Sequence, residues 1–323
     1  MLEVAGSNLA TPAILAFLLG VAASLLKSDL RLPEPIYQTI SIYLLFAIGL
    51  KGGAALADAD AGDVVIPALV TLALGLVIPL WVYAATRFAG RMSIADSAAL
   101  AAHYGSTSVV TFTAALTFLQ SVDEPVEGFL PTLVAIMEVP AIVVALVIAR
   151  LQLARTAGQS GDLMEALHEV LVGRSIILLA GGLLVGLLAG SDGIAPVEPF
   201  FVDAFQGILT LFLLEMGIVT ARRFGDLRAA GPFLIGFGLL APVLNGAVGV
   251  IAGDLAGLSA GGAAMLGVLA ASASYIAAPA AVRIALPEAN PSLYLTASLA
   301  VTFPFNLTVG IPLYYELAGR MAG

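Results

Sequence analysis

The sequence predicts an all-α polytopic membrane protein. It has ten transmembrane helices arranged as two inverted halves of five, with helices four and nine discontinuous. Three observations predict this. The chain of 323 residues is 60% hydrophobic and only 11% charged, where a soluble domain carries about a quarter charged residues. Apolar runs long enough to cross a ~30 Å hydrocarbon core recur along it. The two sets of runs resemble each other at an offset of 164–166 residues. So much apolar sequence needs lipid as its solvent, and in lipid the backbone must satisfy its own polar groups, which favours helices.

The first half, 1–153, carries spans at 9–26, 36–55, 64–88, 95–119 and 129–153. Span one is followed by Lys27 and Arg31. Span two is preceded by Glu34-Pro35 and carries Lys51 and Gly53. The acids Asp58, Asp60 and Asp63 form a solvated loop before span three, where Pro67 and Pro79 introduce kinks. Span four runs through Ala98-Ala99-Leu100 to Gly105-Ser106-Thr107-Ser108, and span five holds Glu138-Val139-Pro140. A hydrophilic connector, 154–169, joins the halves and is too short for a domain.

The second half, 170–323, repeats this order with spans at 170–190, 203–222, 231–253, 260–285 and 292–318. Glu198-Pro199 and Gly217 match the features of span two, with Glu215 opposite Lys51, and Pro232 matches Pro67. Ala264-Met265-Leu266 to Ala271-Ser272-Ala273-Ser274 matches the polar stretch of span four, and Thr302-Phe303-Pro304 matches Glu138-Val139-Pro140. An odd number of spans per repeat turns the second half upside down, the architecture of many secondary transporters.

Basic residues flank the odd connections: Arg87 and Arg91, then Arg150, Arg155 and Arg174, then Arg222, Arg223 and Arg228, and Arg283. The even connections carry acids. The positive-inside rule therefore sets the odd connections in the cytoplasm and both termini outside. No basic region precedes the first apolar run, so it reads as a span and not as a cleavable signal.

Cysteine is absent and histidine occurs twice, at His103 and His168, which excludes disulfides and leaves no transition-metal centre. No phosphate-binding loop, dinucleotide fingerprint or nucleophile–base pair occurs, so neither an enzyme nor an ATP-driven pump is expected, nor a cofactor or nucleic acid.

The chemistry is expected where spans four and nine carry matched polar clusters at mid-depth. Small and hydroxyl residues also serve close helix packing. Their equivalent positions in both halves point instead to interrupted helices, whose exposed N–H groups and positive ends would form a small anion site. The candidate substrate residues are Gly105, Ser106, Thr107, Ser108, Ser272, Ala273, Ser274 and Tyr275. Glu138 at the bilayer centre reads as a cation ligand, a proton carrier or a helix-bonded structural group, since a carboxylate there costs about 2.5–3.5 kcal/mol on insertion scales. Thr111, Thr302 and Asn306 add oxygens that a sodium ion accepts, completing a candidate cation set with Glu138. Lys51 is expected to snorkel to the surface. His103 either meets substrate or packs.

The runs Leu32-Pro33-Glu34-Pro35-Ile36, Gly49-Leu50-Lys51-Gly52-Gly53, Gly105-Ser106-Thr107-Ser108 and Leu286-Pro287-Glu288-Ala289-Asn290-Pro291-Ser292 resemble the sodium-dependent bicarbonate transporter family, the cyanobacterial type of bicarbonate permease. The resemblance implies sodium-coupled import of bicarbonate by alternating access between a core and a gate domain. It also implies a homotrimer in the inner membrane, in contact with lipid and regulated by a cytoplasmic PII-like protein. Carried across, the clusters at 105–108 and 272–274 would hold bicarbonate and sodium. The chain departs from the family in three places. Ala273-Ser274-Tyr275 stands where cyanobacterial members have Ser-Ser-Asp, Glu138 replaces an Asp, and the connector is shorter. Two alternatives follow: a carrier of another small anion coupled to sodium or protons, or a transport-inactive receptor that signals to a cytoplasmic regulator.

Overall fold

The computed structural model describes residues 11–154, 168, 172, 174–275 and 277–321. Of the predicted connector 154–169, only Ala154 and His168 fall among the described residues, and the predicted orientation of the two ends concerns 1–10 and 322–323, outside them.

Among the described residues every regular element is helical. Helix α1 spans Pro12–Leu25 and begins where the Thr11 hydroxyl accepts the Ile14 N–H. Helix α2, Glu34–Asp58, opens on proline in its first turn, where the missing N–H has no intrahelical partner to lose. Helix α3 covers Ala61–Ala84, capped by the Asp60 carboxylate on the Gly62 N–H at 2.9 Å, and runs on as a π turn through Ala89. Helix α4, Ile94–Gly105, is capped by Ser93, which accepts from the Asp96 N–H. Then follow α5 (Val109–Ser121), α6 (Leu130–Ala154), α7 (Arg174–Ile194), α8 (Phe205–Arg223) and α9 (Leu227–Leu255). The chain ends with α10 (Ala260–Ala271), α11 (Ala277–Ala285) and α12 (Pro291–Met321), the last containing two π segments, Thr296–Thr302 and Asn306–Gly310.

Seven helical stretches are long and apolar enough to cross a membrane: α2, α3 with its π turn, α6, α7, α8 with its flanks, α9 and α12. The chain is a multi-pass helical membrane protein. The other three runs counted in the sequence are shorter here. Helix α1 has 14 residues, and the runs at 95–119 and 260–285 are each a pair of short helices, α4–α5 and α10–α11.

The helices sort into two groups by packing. In one, α2 lies along α7 and α1 along α8. Glycines make these contacts close: a Cβ on Gly53 would come within 2.0 Å of the Leu183 carbonyl oxygen, and one on Gly217 within 2.0 Å of that of Phe17. Gly186 meets Leu50 and Gly20 meets Leu214 in the same way, at 2.1 and 2.0 Å. In the other group, α3, α4 and α6 pack together, and α9 packs with α10 and α12.

Side chains tie helices and connecting segments together toward each end. At one end the Leu32 N–H donates to Glu215 at 2.8 Å, and the Asn290 N–H to Asp96 at 2.8 Å. At the other, the Ser259 N–H donates to Glu127 at 2.6 Å, the Tyr315 hydroxyl to Glu124 at 3.1 Å, and Ser191 to Asp58.

Candidate functional site

Helix α4 stops at Gly105, which sits so tightly against Pro79 and Ala141 that a Cβ would approach them to 2.8 and 2.9 Å. Ser106 and Ser108 are extended, and α5 begins at Val109. Helix α10 likewise stops at Ala271, Ser272 is extended, and α11 starts at Ala277. The two non-helical stretches touch. The Ser272 hydroxyl accepts the Ser108 N–H at 2.9 Å and donates to the Leu269 carbonyl at 2.8 Å. Its proton being engaged there, the Thr107 hydroxyl is the donor in the 3.1 Å contact between the two side chains. In return, the Ser274 N–H donates to the His103 carbonyl, in the last turn of α4, at 2.8 Å. Backbone groups left over by the ends of one helix pair are thus satisfied by the other, as burial demands.

Two serines at equivalent repeat positions then begin the following helices. Ser108 accepts from the Thr111 N–H at 3.2 Å and from the Thr111 hydroxyl at 3.0 Å. Ser274 accepts from the Ala278 N–H, in the first turn of α11, at 3.2 Å. Each keeps its own hydroxyl proton to donate. Both line one small cavity with Thr107, Glu138, Tyr275, Leu45 and Val109.

Glu138 is 2% exposed and its Oε2 has no hydrogen-bond partner. The Ser106 hydroxyl is buried and unpartnered, and the Tyr275 hydroxyl lies near Ser108 without completing a hydrogen bond. His103 donates through Nδ1 to the Ala99 carbonyl, 2.7 Å away, and packs its ring 4.4 Å from that of Tyr294, while Nε2 stays unpartnered. Native interiors leave few polar atoms bare.

The structure does not group all the residues singled out in the sequence. Ser108, Thr107, Ser274, Tyr275 and Glu138 share the cavity, and Thr111 supports Ser108. Ser272 positions the two breaks and Ala273 is buried with no polar side-chain atom. Thr302 and Asn306 lie off the cavity lining. Thr302 donates to the Gly238 carbonyl at 2.6 Å and accepts from Tyr104 at 2.6 Å. The Asn306 amide donates to the Ala271 carbonyl at 2.9 Å, at the end of α10, and its oxygen accepts from Tyr314 at 3.2 Å. Sequence reasoning passed over Leu45 and Val109, which carry no signal among so many apolar residues. It read Lys51 as snorkelling, and that side chain lines two cavities with its ammonium 6.0 Å from the Phe205 ring centroid.

Chemically the small cavity brings together hydroxyl donors, two helix starts and a carboxylate with one unpartnered oxygen. A family model described as the Na+-dependent bicarbonate transporter superfamily matches residues 12–319. No match was found among curated proteins.

Proposed function

Because the chain belongs to the Na+-dependent bicarbonate transporter superfamily, a transporter family and not an enzyme, we propose that it imports bicarbonate with sodium by alternating access around the cavity between the two breaks. The observation that carries this reading is the convergence of Ser108, Ser274 and Glu138 on one buried cavity. The serine hydroxyls and helix starts would receive the anion's oxygens, and the bare Glu138 carboxylate would receive sodium. Bringing one anion into a cell against −100 mV costs about 2.3 kcal/mol. A co-transported sodium cancels that charge and adds its own gradient.

The same proposal takes α4–α5 and α10–α11 as single spans interrupted at mid-membrane, within ten spans of two inverted repeats. A residue meets its own counterpart only on a two-fold axis. Trp81 Nε1 donates to Asn245 Oδ1 at 3.0 Å, 164 residues further on, and Thr107 meets Ser272, the neighbour of its counterpart Ala273. Both contacts support a pseudo-two-fold axis. So do the glycine contacts, since Gly53 on Leu183 and Gly217 on Phe17 are repeat equivalents. The Asn290–Asp96 and Ser259–Glu127 bonds also join segments expected on the same side of the membrane. On this reading the halves are 1–153 and 170–323, and the termini lie outside the cytoplasm. A homotrimer in the inner membrane with a PII-like regulator at its cytoplasmic face completes the proposal.

One observation favours a second reading. Tyr275 walls the cavity where the family likeness expects a carboxylate, which suits a different anion, or binding without transport. Uptake of labelled bicarbonate into proteoliposomes, with and without a sodium gradient, is the test. Sodium-driven accumulation supports the proposal, sodium-independent flux of another anion supports a different carrier, and binding without flux supports a receptor.

A further inference from the structure

The cavity between the breaks measures about 10 Å³, the room of a single water molecule. Bicarbonate is larger than that, so a lining side chain must give way before the anion enters. Most of the lining is fixed. Thr107 is tied to Ser272, Ser108 to Thr111 and Ser274 to Ala278 by hydrogen bonds. Leu45, Val109 and Glu138 are buried on helices α2, α5 and α6.

Tyr275 differs from these. It lies between α10 and α11, outside either helix, and its side chain is the largest on the cavity wall. Its hydroxyl lies near Ser108 without completing a hydrogen bond. A buried hydroxyl with no partner gains nothing by staying where it is. The ring rests edge-on against Phe303, with centroids 5.4 Å apart. Phe303, in α12, meets Phe17 in the same manner at 5.5 Å. Phe17 belongs to α1, in the other packing group. Three rings thus connect the cavity to the border between the two groups.

We propose that the Tyr275 ring is a plug in the anion site, which takes the place of a small monovalent oxyanion beside Ser108 and swings out when that anion binds. Phe303 is a positioning residue that holds the plug. When the group containing α1 moves, Phe17 leaves Phe303 and the plug loosens, so occupation of the cavity is linked to displacement of the helix groups. The inference rests on the anion transport proposed above. Because the apparent dissociation constant is the intrinsic one divided by the unplugged fraction, removing the plug tightens binding.

The chain has no cysteine, so Tyr275→Cys carries a single thiol. Binding of labelled bicarbonate to purified protein, at saturating sodium, is compared for wild type, Tyr275→Phe, Tyr275→Cys and Phe303→Leu. Tyr275→Phe keeps the ring and binds within about twofold of wild type, Tyr275→Cys binds about five- to tenfold more tightly, and Phe303→Leu about two- to threefold more tightly. Coupling a benzyl group to the thiol as a mixed disulfide returns the wild-type affinity, and reduction of that disulfide reverses the change. A merely structural role for Tyr275 predicts no such reversal. Binding that Tyr275→Cys weakens or leaves unchanged overturns the plug, as does an affinity indifferent to the benzyl group. Should Tyr275→Cys fail to fold, Phe303→Leu decides, because it leaves Tyr275 in place: tighter binding supports the plug, and unchanged or weaker binding overturns it. Absence of bicarbonate uptake into proteoliposomes by wild type sinks the transport reading itself, so the two failures are distinguishable.

Discussion

Two sets of polar side chains surround the helix breaks, and they differ in how completely they are satisfied. Tyr104, Thr302, Asn306 and Tyr314 close hydrogen bonds onto one another and onto the carbonyls of Gly238, Ala271 and Pro242. Glu138, Ser106 and Tyr275 keep buried atoms without a partner. In a dry interior a satisfied polar network fixes a structure, whereas a bare group is a standing penalty that a bound ion relieves. The difference suits the first set to stability and, under the proposed function, the second to ligand binding.

Four substitutions, at Glu138, Asn306 and the break serines Ser272 and Ser274, test that division and extend it to the breaks. Glu138→Gln, which keeps the size and removes the charge, lowers sodium-dependent uptake about 30- to 100-fold, with an unchanged thermal midpoint. An equal loss of stability and uptake would move Glu138 into the structural set. Ser272→Ala leaves the Ser108 N–H buried and unsatisfied, so the folded state loses about 1–3 kcal/mol, read from thermal unfolding in detergent. Asn306→Ala destabilises by about 1–2 kcal/mol through the Ala271 carbonyl and leaves the sodium KM alone. A shifted sodium KM there would break the comparison. Ser274→Ala has the smallest effect on the fold, about 1 kcal/mol as a lost helix-start contact, but raises the bicarbonate KM. An unmoved KM would take Ser274 out of the proposed anion site.

Much of this was legible in the sequence. The Gly-Ser-Thr-Ser and Ser-Ala-Ser stretches are short, polar and flanked by apolar helix formers, and residues 106–108 and 272–274 leave the helical conformation. Glu138 stood out in the sequence as an acid in an apolar run, and it lines the cavity between the breaks. The grouping of Thr302 and Asn306 with Glu138 came from repeat equivalence, which aligns positions but not the rotation of a side chain. The π segments of α12 change that rotation, since each inserts extra backbone into the helical turn. For Lys51, periodicity identifies a helix face, and packing adds that this face borders two cavities.

The glycine contacts have one more consequence. With Gly53, Gly217, Gly186 and Gly20 bringing backbones to near touching distance, helices α1, α2, α7 and α8 have no slack in which to slide past one another. Neighbouring layers that interlock through main chain behave as a single slab. Under the proposed alternating access, displacement would fall at the border where side chains such as Ile48, Phe112 and Leu116 intervene, and a bulky residue at any one of the four glycines would loosen the slab itself.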